Sequence, residues 1–98
     1  MGLSGNHWDL ILKPKALEDR DYFKKSGNLS LMKKIQRLLE ELEQHPNTGT
    51  GKPEKLKEDL SGYWSRRINT EHRIIYTINN EMKTIDIYSL RGHYLPKN

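Results

Sequence analysis

The chain has 98 residues, and even with its 7 glycines added to the 34% that are hydrophobic it stays below the roughly 45–50% apolar content of an average globular chain. One thin core is all such a length can enclose. The absence of cysteine excludes a disulfide scaffold, a thiolate metal site and a cysteine nucleophile. No apolar run approaches the roughly 18 residues of a membrane span and no export leader is evident, so the expectation is a cytosolic, single-domain protein.

Met1–His7 is polar and aperiodic and reads as a flexible leader, with one domain over residues 8–98. Trp8, Leu10 and Leu12 alternate, which predicts a strand. Pro14 suits the first turn of a helix that runs to about Lys25, with Ala16, Leu17 and Phe23 on its apolar side and Gly27 at its end. Leu31, Ile35, Leu38 and Leu42 recur at helical spacing and define a second helix. Asn28 or Ser30 caps its start and His45-Pro46 closes it. Asn47–Lys52 is a turn-rich hinge or loop. Three β-type runs follow, Tyr63–Ile68, His72–Asn79 and Thr84–Leu90, with separations that fit hairpin turns.

The predicted fold is therefore α+β, a small antiparallel sheet of order β-α-α-β-β-β with the helical hairpin packed on one face. Lys55–Lys57 is a candidate extra short strand. If Ile74, Tyr76 and Ile78 face the helices, alternation sends Arg73 to the open face, and Ile68 facing inward likewise sends Arg67 outward.

The formal net charge of +4 is uneven: residues 51–98 carry nine Lys/Arg against six Asp/Glu, while residues 1–50 are nearly balanced. Five of the eight aromatics also lie in that second half, and cations interleaved with flat rings suit single-stranded nucleic acid. Lys52, Lys55, Lys57, Arg66 and Trp64 are the candidate nucleic-acid-contacting residues. There is a plain structural reading too, with Arg66, Arg67 and Arg73 as salt-bridge partners of Glu58, Asp59 and Glu71, and Trp64 as a core anchor.

No pair among His7, His45, His72 and His93 has the spacing of a helical metal site, so no metal and no cofactor is expected. His93 stands out by its neighbours Arg91-Gly92-His93-Tyr94, and an imidazole titrates near neutral pH. Glu54 is a carboxylate on a lysine-rich loop, suited equally to a base or to a surface ion pair. Together a carboxylate, a terminal His-Tyr and outward arginines are the parts needed to cleave RNA by acid–base chemistry.

Four segments carry a resemblance: Gly51-Lys52-Pro53-Glu54-Lys55-Leu56-Lys57, Leu60-Ser61-Gly62-Tyr63-Trp64-Ser65-Arg66-Arg67-Ile68, Glu71-His72-Arg73-Ile74-Ile75-Tyr76 and Gly92-His93-Tyr94. In order and spacing they resemble the YoeB/Txe toxin family of the RelE/ParE superfamily of bacterial toxin–antitoxin systems. The resemblance spans Trp8 to Tyr94. It implies a cytoplasmic endoribonuclease that docks in the ribosomal A site and cuts mRNA during translation. It further implies Glu54 as general base, His93 as general acid, Arg73 as the transition-state phosphate stabiliser with Arg67 supporting it, Tyr94 as the aromatic that orients the scissile nucleotide, and Lys57 as a phosphate or rRNA contact. The implied partners are a YefM/Axe-type antitoxin, ribosome and mRNA, and a second toxin copy, with no membrane. The chain departs from the family pattern by continuing Leu95-Pro96-Lys97-Asn98 beyond the His-Tyr. A gyrase-inhibiting toxin of the same fold and a plain RNA-binding module are the alternatives.

Overall fold

The computed structural model describes residues 7–92. All of the expected leader except His7 lies outside them, as do His93, Tyr94 and the four residues that follow. The described elements are β1 (Asp9–Leu12), α1 (Pro14–Ser26), α2 (Leu29–Leu42), β2 (Glu54–Lys55), a 3-10 turn (Glu58–Leu60), β3 (Trp64–Arg67), β4 (Arg73–Asn79) and β5 (Thr84–Ser89). They form one α+β layer pair, a five-stranded sheet of order β1-β5-β4-β3-β2 carrying both helices. The extra strand is real but starts one residue earlier than expected and is only two residues long.

One feature of the sheet differs from the expectation. Strands β2 to β5 pair antiparallel, but β1 lies parallel to β5, with Leu10 opposite Ile85 and Leu12 opposite Ile87. Side-chain alternation defines the face of a strand and not its direction. The helical hairpin carries the chain from one edge of the sheet to the other, and three reversals bring β5 back beside β1.

Local signals explain the helices. Pro14 sits in the first turn of α1, and Gly27 closes it in the left-handed conformation at φ 75°. Lys24 and Lys25 in the last turn complement the helix dipole. Asn28 caps α2, its side-chain oxygen accepting from the Leu31 amide at 3.1 Å. Ala16 and Phe23 of α1, Ile35, Leu38 and Leu42 of α2, and Ile74, Tyr76, Ile85 and Ile87 of the sheet make one buried cluster with Ile68 and Leu90. Full burial of each large aliphatic side chain contributes about 1.5–3 kcal/mol.

The loop after α2 was expected as a hinge or loop; buried polar bonds fix it in place. Arg66 is fully buried, its Nη1 donating to Glu41 Oε1 at 2.8 Å and its Nη2 donating to the carbonyls of His45 and Thr48 at 2.6 and 2.7 Å. Glu41 also accepts from the Thr50 amide at 2.9 Å, and the Tyr76 hydroxyl donates to the Pro46 carbonyl at 2.6 Å. Arg66 was an expected RNA contact. Its guanidinium instead lies on the helix-covered side of β3, out of reach of any external ligand.

Leaving the Arg66 charge buried without its carboxylate should cost about 3–5 kcal/mol. Urea unfolding of Glu41→Leu should show that loss, whereas Asp86→Asn, which breaks the half-exposed 4.0 Å pair with Lys13, should change stability by less than about 1 kcal/mol. Equal effects would mean the loop is not held by this pair. A second expectation concerns alkaline pH. Burial raises the Tyr76 hydroxyl above its ordinary value of about 10, with Arg66 opposing by charge and hydrogen bond. The folded state therefore keeps the proton more tightly than the unfolded chain. This contribution to stability is intact below pH 10 and declines as the pH climbs past it. Unfolding midpoints followed across pH 10 should fall more steeply for the native chain than for Tyr76→Phe.

Candidate active site

The site lies on the face of the sheet away from the helices. In register, Glu54 stands opposite Ser65, Ser65 opposite Ile75, and Arg67 directly opposite Arg73. These residues alternate with Trp64, Arg66 and Tyr76, which point to the helix side. The Arg73 Nη1 lies 4.0 Å from Glu54 Oε1 and 3.4 Å from the Ser65 hydroxyl. The Glu54 side chain is 67% exposed and that of Arg73 is 28% exposed, so the carboxylate is open to solvent and the guanidinium is half sunk into the sheet. Two arginines directly opposite each other repel, and Glu54 offsets only part of that charge. An anion seated between them would relieve it.

A sharp turn delivers Glu54 to this place. The Arg67 amide donates to the Gly51 carbonyl at 2.8 Å, pulling the loop onto β3. Gly51 has φ 87°, and a Cβ there would come within 2.7 Å of the Arg67 carbonyl oxygen and of Arg66 Cγ. Lys52 is also in the left-handed region at φ 49°. Its side chain shares with Lys34 and Arg67 a groove of about 460 Å³ beside the arginine pair.

The other expected contacts separate by face. Lys55 is exposed but lies on the helix side, with its Nζ 5.9 Å from the Trp64 ring. Trp64 stacks on Tyr76 at 6.4 Å and 20° and packs against the core, so it is a core anchor and not a platform on the open face. Lys57 is exposed just before the 3-10 turn. On the open face the aromatics are Tyr63 and Tyr88, whose rings meet edge-on at 5.2 Å. Tyr88 is the extra residue of a bulge, since Tyr76 pairs with Ile87 while Ile75 pairs with Ser89.

His93 and Tyr94 lie outside the described residues, but their point of attachment does not. The Gly92 carbonyl accepts from the Arg73 amide at 3.2 Å, and the Gly92 amide donates to His72 Nδ1 at 2.8 Å. Gly92 has φ 72°, which a glycine adopts without penalty. One residue earlier, the buried Asp19 carboxylate accepts from the Leu90 and Arg91 amides at 2.9 and 3.1 Å. The sequence reading missed Asp19 and His72 in these roles. A signal for Asp19 existed: it falls three residues after Ala16 and four before Phe23, on the buried side of α1. A carboxylate there needs buried donors.

A mixed sheet with a helical hairpin on one side, and opposed arginines beside a carboxylate on the other, places the chain in the fold class of small toxins of the YoeB/ParE kind. The YoeB/ParE toxin from Agrobacterium tumefaciens superposes with a TM-score of 0.81 at 32% identity, covering 88% of this chain and 99% of that one. The YoeB dimer from Staphylococcus aureus gives 0.77 at 42% identity, over 90% and 99%. Toxin YoeB of Escherichia coli is 38% identical over 85 residues, 87% of this chain and 98% of the relative. Toxin YoeB of a Synechocystis species is 52% identical over 64 residues, 65% and 72% of the two. Residues 12–94 match the family described as YoeB-like toxin of bacterial type II toxin–antitoxin system. The chain belongs to that family.

The close approach at Gly51 yields a stability test. Gly51→Ala should cost about 1–3 kcal/mol more than Gly62→Ala, which shares a left-handed backbone, φ 97°, but faces open space. Urea unfolding of the two variants measures the difference, and equal costs would place Gly51 away from β3.

Proposed function

We propose that this toxin is an endoribonuclease that cuts mRNA in the A site of the translating ribosome. One observation carries the reading. The carbonyl of Gly92, the residue before His93 in sequence, accepts from the backbone amide of Arg73, whose side chain reaches Glu54, so Gly92, Arg73 and Glu54 meet although they are far apart in sequence. In the proposed reaction the Glu54 carboxylate takes the proton of a ribose 2′-hydroxyl, and the 2′-oxygen attacks the adjacent phosphorus. Arg73, with Arg67 opposite it, balances the charge that builds on the non-bridging oxygens. His93 gives a proton to the departing 5′-oxygen. The products are a 2′,3′-cyclic phosphate and a 5′-hydroxyl, and no bond in the sequence requires a metal.

Tyr94 orients the scissile nucleotide. Lys52 and Lys57 carry the RNA backbone towards the site, and the groove that Lys52 shares with Lys34 and Arg67 supports that path. Arg66, Trp64 and Lys55 have no place in this interface. The Staphylococcus aureus YoeB–YefM complex, whose toxin gives a TM-score of 0.76 at 42% identity over 89% of this chain and 98% of that one, supports a YefM-type antitoxin as partner. An acidic antitoxin segment is the natural complement of the opposed arginines. The dimer from the same species supports self-association. No helix among the described residues is long and apolar enough to cross a membrane, and the proposed place of action is the cytoplasm, with the ribosomes.

A translating extract supplied with a defined mRNA tests the reading by mapping 5′ ends. Cuts inside codons should appear only during translation, and Glu54→Ala and His93→Gln should each reduce them by about 10²-fold or more. Cleavage undiminished in both variants would remove their roles. DNA breaks in place of RNA ends would indicate a gyrase-directed toxin, and RNA retained uncut would indicate a binding module.

A further inference from the structure

Cations interleaved with aromatic rings mark the second half of the sequence, and the fold divides those rings between two faces. Trp64 and Tyr76 stack on each other on the helix-covered side. Tyr63 and Tyr88 stand on the open face, which also carries Glu54, Arg67 and Arg73. The reaction proposed above gives neither tyrosine a role.

Tyr63 leads into β3 and Tyr88 belongs to β5, with β4 between those two strands. Neighbouring strands lie about 4.8 Å apart, so two such spacings separate the two backbones. The ring centroids are nonetheless 5.2 Å apart, and both side chains therefore lean over β4. A bulge sets Tyr88 apart from its neighbours Ile87 and Ser89, which pair with Tyr76 and Ile75. The rings meet edge to face at 74°, so each keeps ring surface that the other does not cover, and both residues are only half-buried.

The pair is held next to the charged end of the face. Tyr63 stands two residues, about 7 Å of strand, from Ser65. The Ser65 hydroxyl is 3.4 Å from Arg73 Nη1. The Leu56 amide donates to the Tyr63 carbonyl at 2.9 Å, which bonds the segment presenting Glu54 to the one presenting Tyr63. Opposite Ser65 on β4 lies Ile75, an apolar residue that is 1% exposed. Cations at one end, an apolar floor and ring faces at the other complement a nucleotide, whose phosphate needs charge and whose base needs a flat partner.

We propose that Tyr63 and Tyr88 form a stacking subsite for one unpaired nucleobase of an RNA strand whose phosphate sits on Arg67 and Arg73. That this base neighbours the cleaved bond rests on the ribonuclease reading; the stacking itself does not. Every base has a flat face, so the subsite accepts any of the four and acts through stacking rather than hydrogen-bond readout. Leucine at either position keeps apolar bulk without a π-face, whereas phenylalanine keeps the face and loses only the hydroxyl.

The test titrates the free full chain with hexathymidylate, a single strand that lacks the 2′-hydroxyl and is not cut by the proposed route. An abasic hexamer of the same backbone charge is the comparison. Ring signals of Tyr63 and Tyr88 are followed by NMR in the native chain, and affinities are measured for it and for Tyr63→Leu, Tyr88→Leu, Tyr63→Phe and Tyr88→Phe, at a temperature where circular dichroism shows all five folded. Hexathymidylate should shift both ring signals upfield and bind the native chain about 5-fold or more tightly than the abasic strand. Each Leu variant should lose about 5-fold or more in affinity for hexathymidylate and less than about twofold for the abasic strand, and each Phe variant should stay within about twofold of native. Unmoved ring signals, no saturable binding, equal affinity for the two strands, Leu variants that weaken both strands alike, or Phe variants as weak as the Leu ones would overturn the proposal. Cleavage of mRNA by the native chain on translating ribosomes is measured in parallel. A chain that cuts mRNA but does not distinguish the two strands keeps the ribonuclease reading and loses the subsite; one that stacks the base without cutting keeps the subsite and loses that reading.

Discussion

A guanidinium buried without solvent contact at Arg66 decides where the loop between α2 and β2 runs. A charge in that position survives only if it is paired and bonded: the end of α2 supplies the Glu41 carboxylate and the loop supplies the carbonyls of His45 and Thr48, while Nε alone has no partner among the described residues. With the loop pinned there, Gly51 meets the backbone of β3 and the chain turns so that β2 joins the sheet edge. Glu54 is thereby placed opposite Ser65 and within reach of Arg73. Adjacent arginines have opposite fates on this strand. Arg66 faces the helices and organises the loop, while Arg67 faces solvent and shares its face with Arg73.

The open face is electrostatically unfinished. Two arginines sit directly across from one another, with a single mostly exposed carboxylate close by, and the Lys52 groove extends the positive region towards α2. Such an arrangement lowers the stability of the free protein slightly and favours an anionic ligand. RNA and an acidic antitoxin segment would satisfy the same charges, which gives a physical reason why one could exclude the other. Gly92, after β5, is bonded to the backbone of Arg73 beside the same patch, which thus draws on an edge strand, a central strand and the start of the segment after β5.

Much of this was legible from periodicity. The four-three-four spacing of Leu31, Ile35, Leu38 and Leu42 located α2, and alternation placed Ile74 and Tyr76 inward and Arg73 outward. The same alternation, applied to Arg66 and Trp64, puts both on the inner side; grouping them with Lys52 by composition overrode it. Strand direction was not legible, because the parallel pairing of β1 with β5 is set by how the hairpin crosses the sheet. The anchors at Asp19 and His72 were hidden for a different reason. Asp19 bonds amides 71 and 72 residues away, a separation that no local pattern encodes. Tyr76 likewise reads as a plain core residue until its hydroxyl is seen on the Pro46 carbonyl.

In the proposed reaction Glu54, Arg73 and His93 act as one acid–base centre that uses the ribose 2′-hydroxyl as nucleophile. A single atom in the substrate tests it most directly. An mRNA carrying one 2′-deoxynucleotide immediately 5′ of the mapped cut should be bound and translated normally yet remain uncut at that bond, while the all-ribose message is cleaved to a 2′,3′-cyclic phosphate. Cleavage at the deoxy position at an undiminished rate would contradict the account, because the attacking oxygen would then have to come from elsewhere.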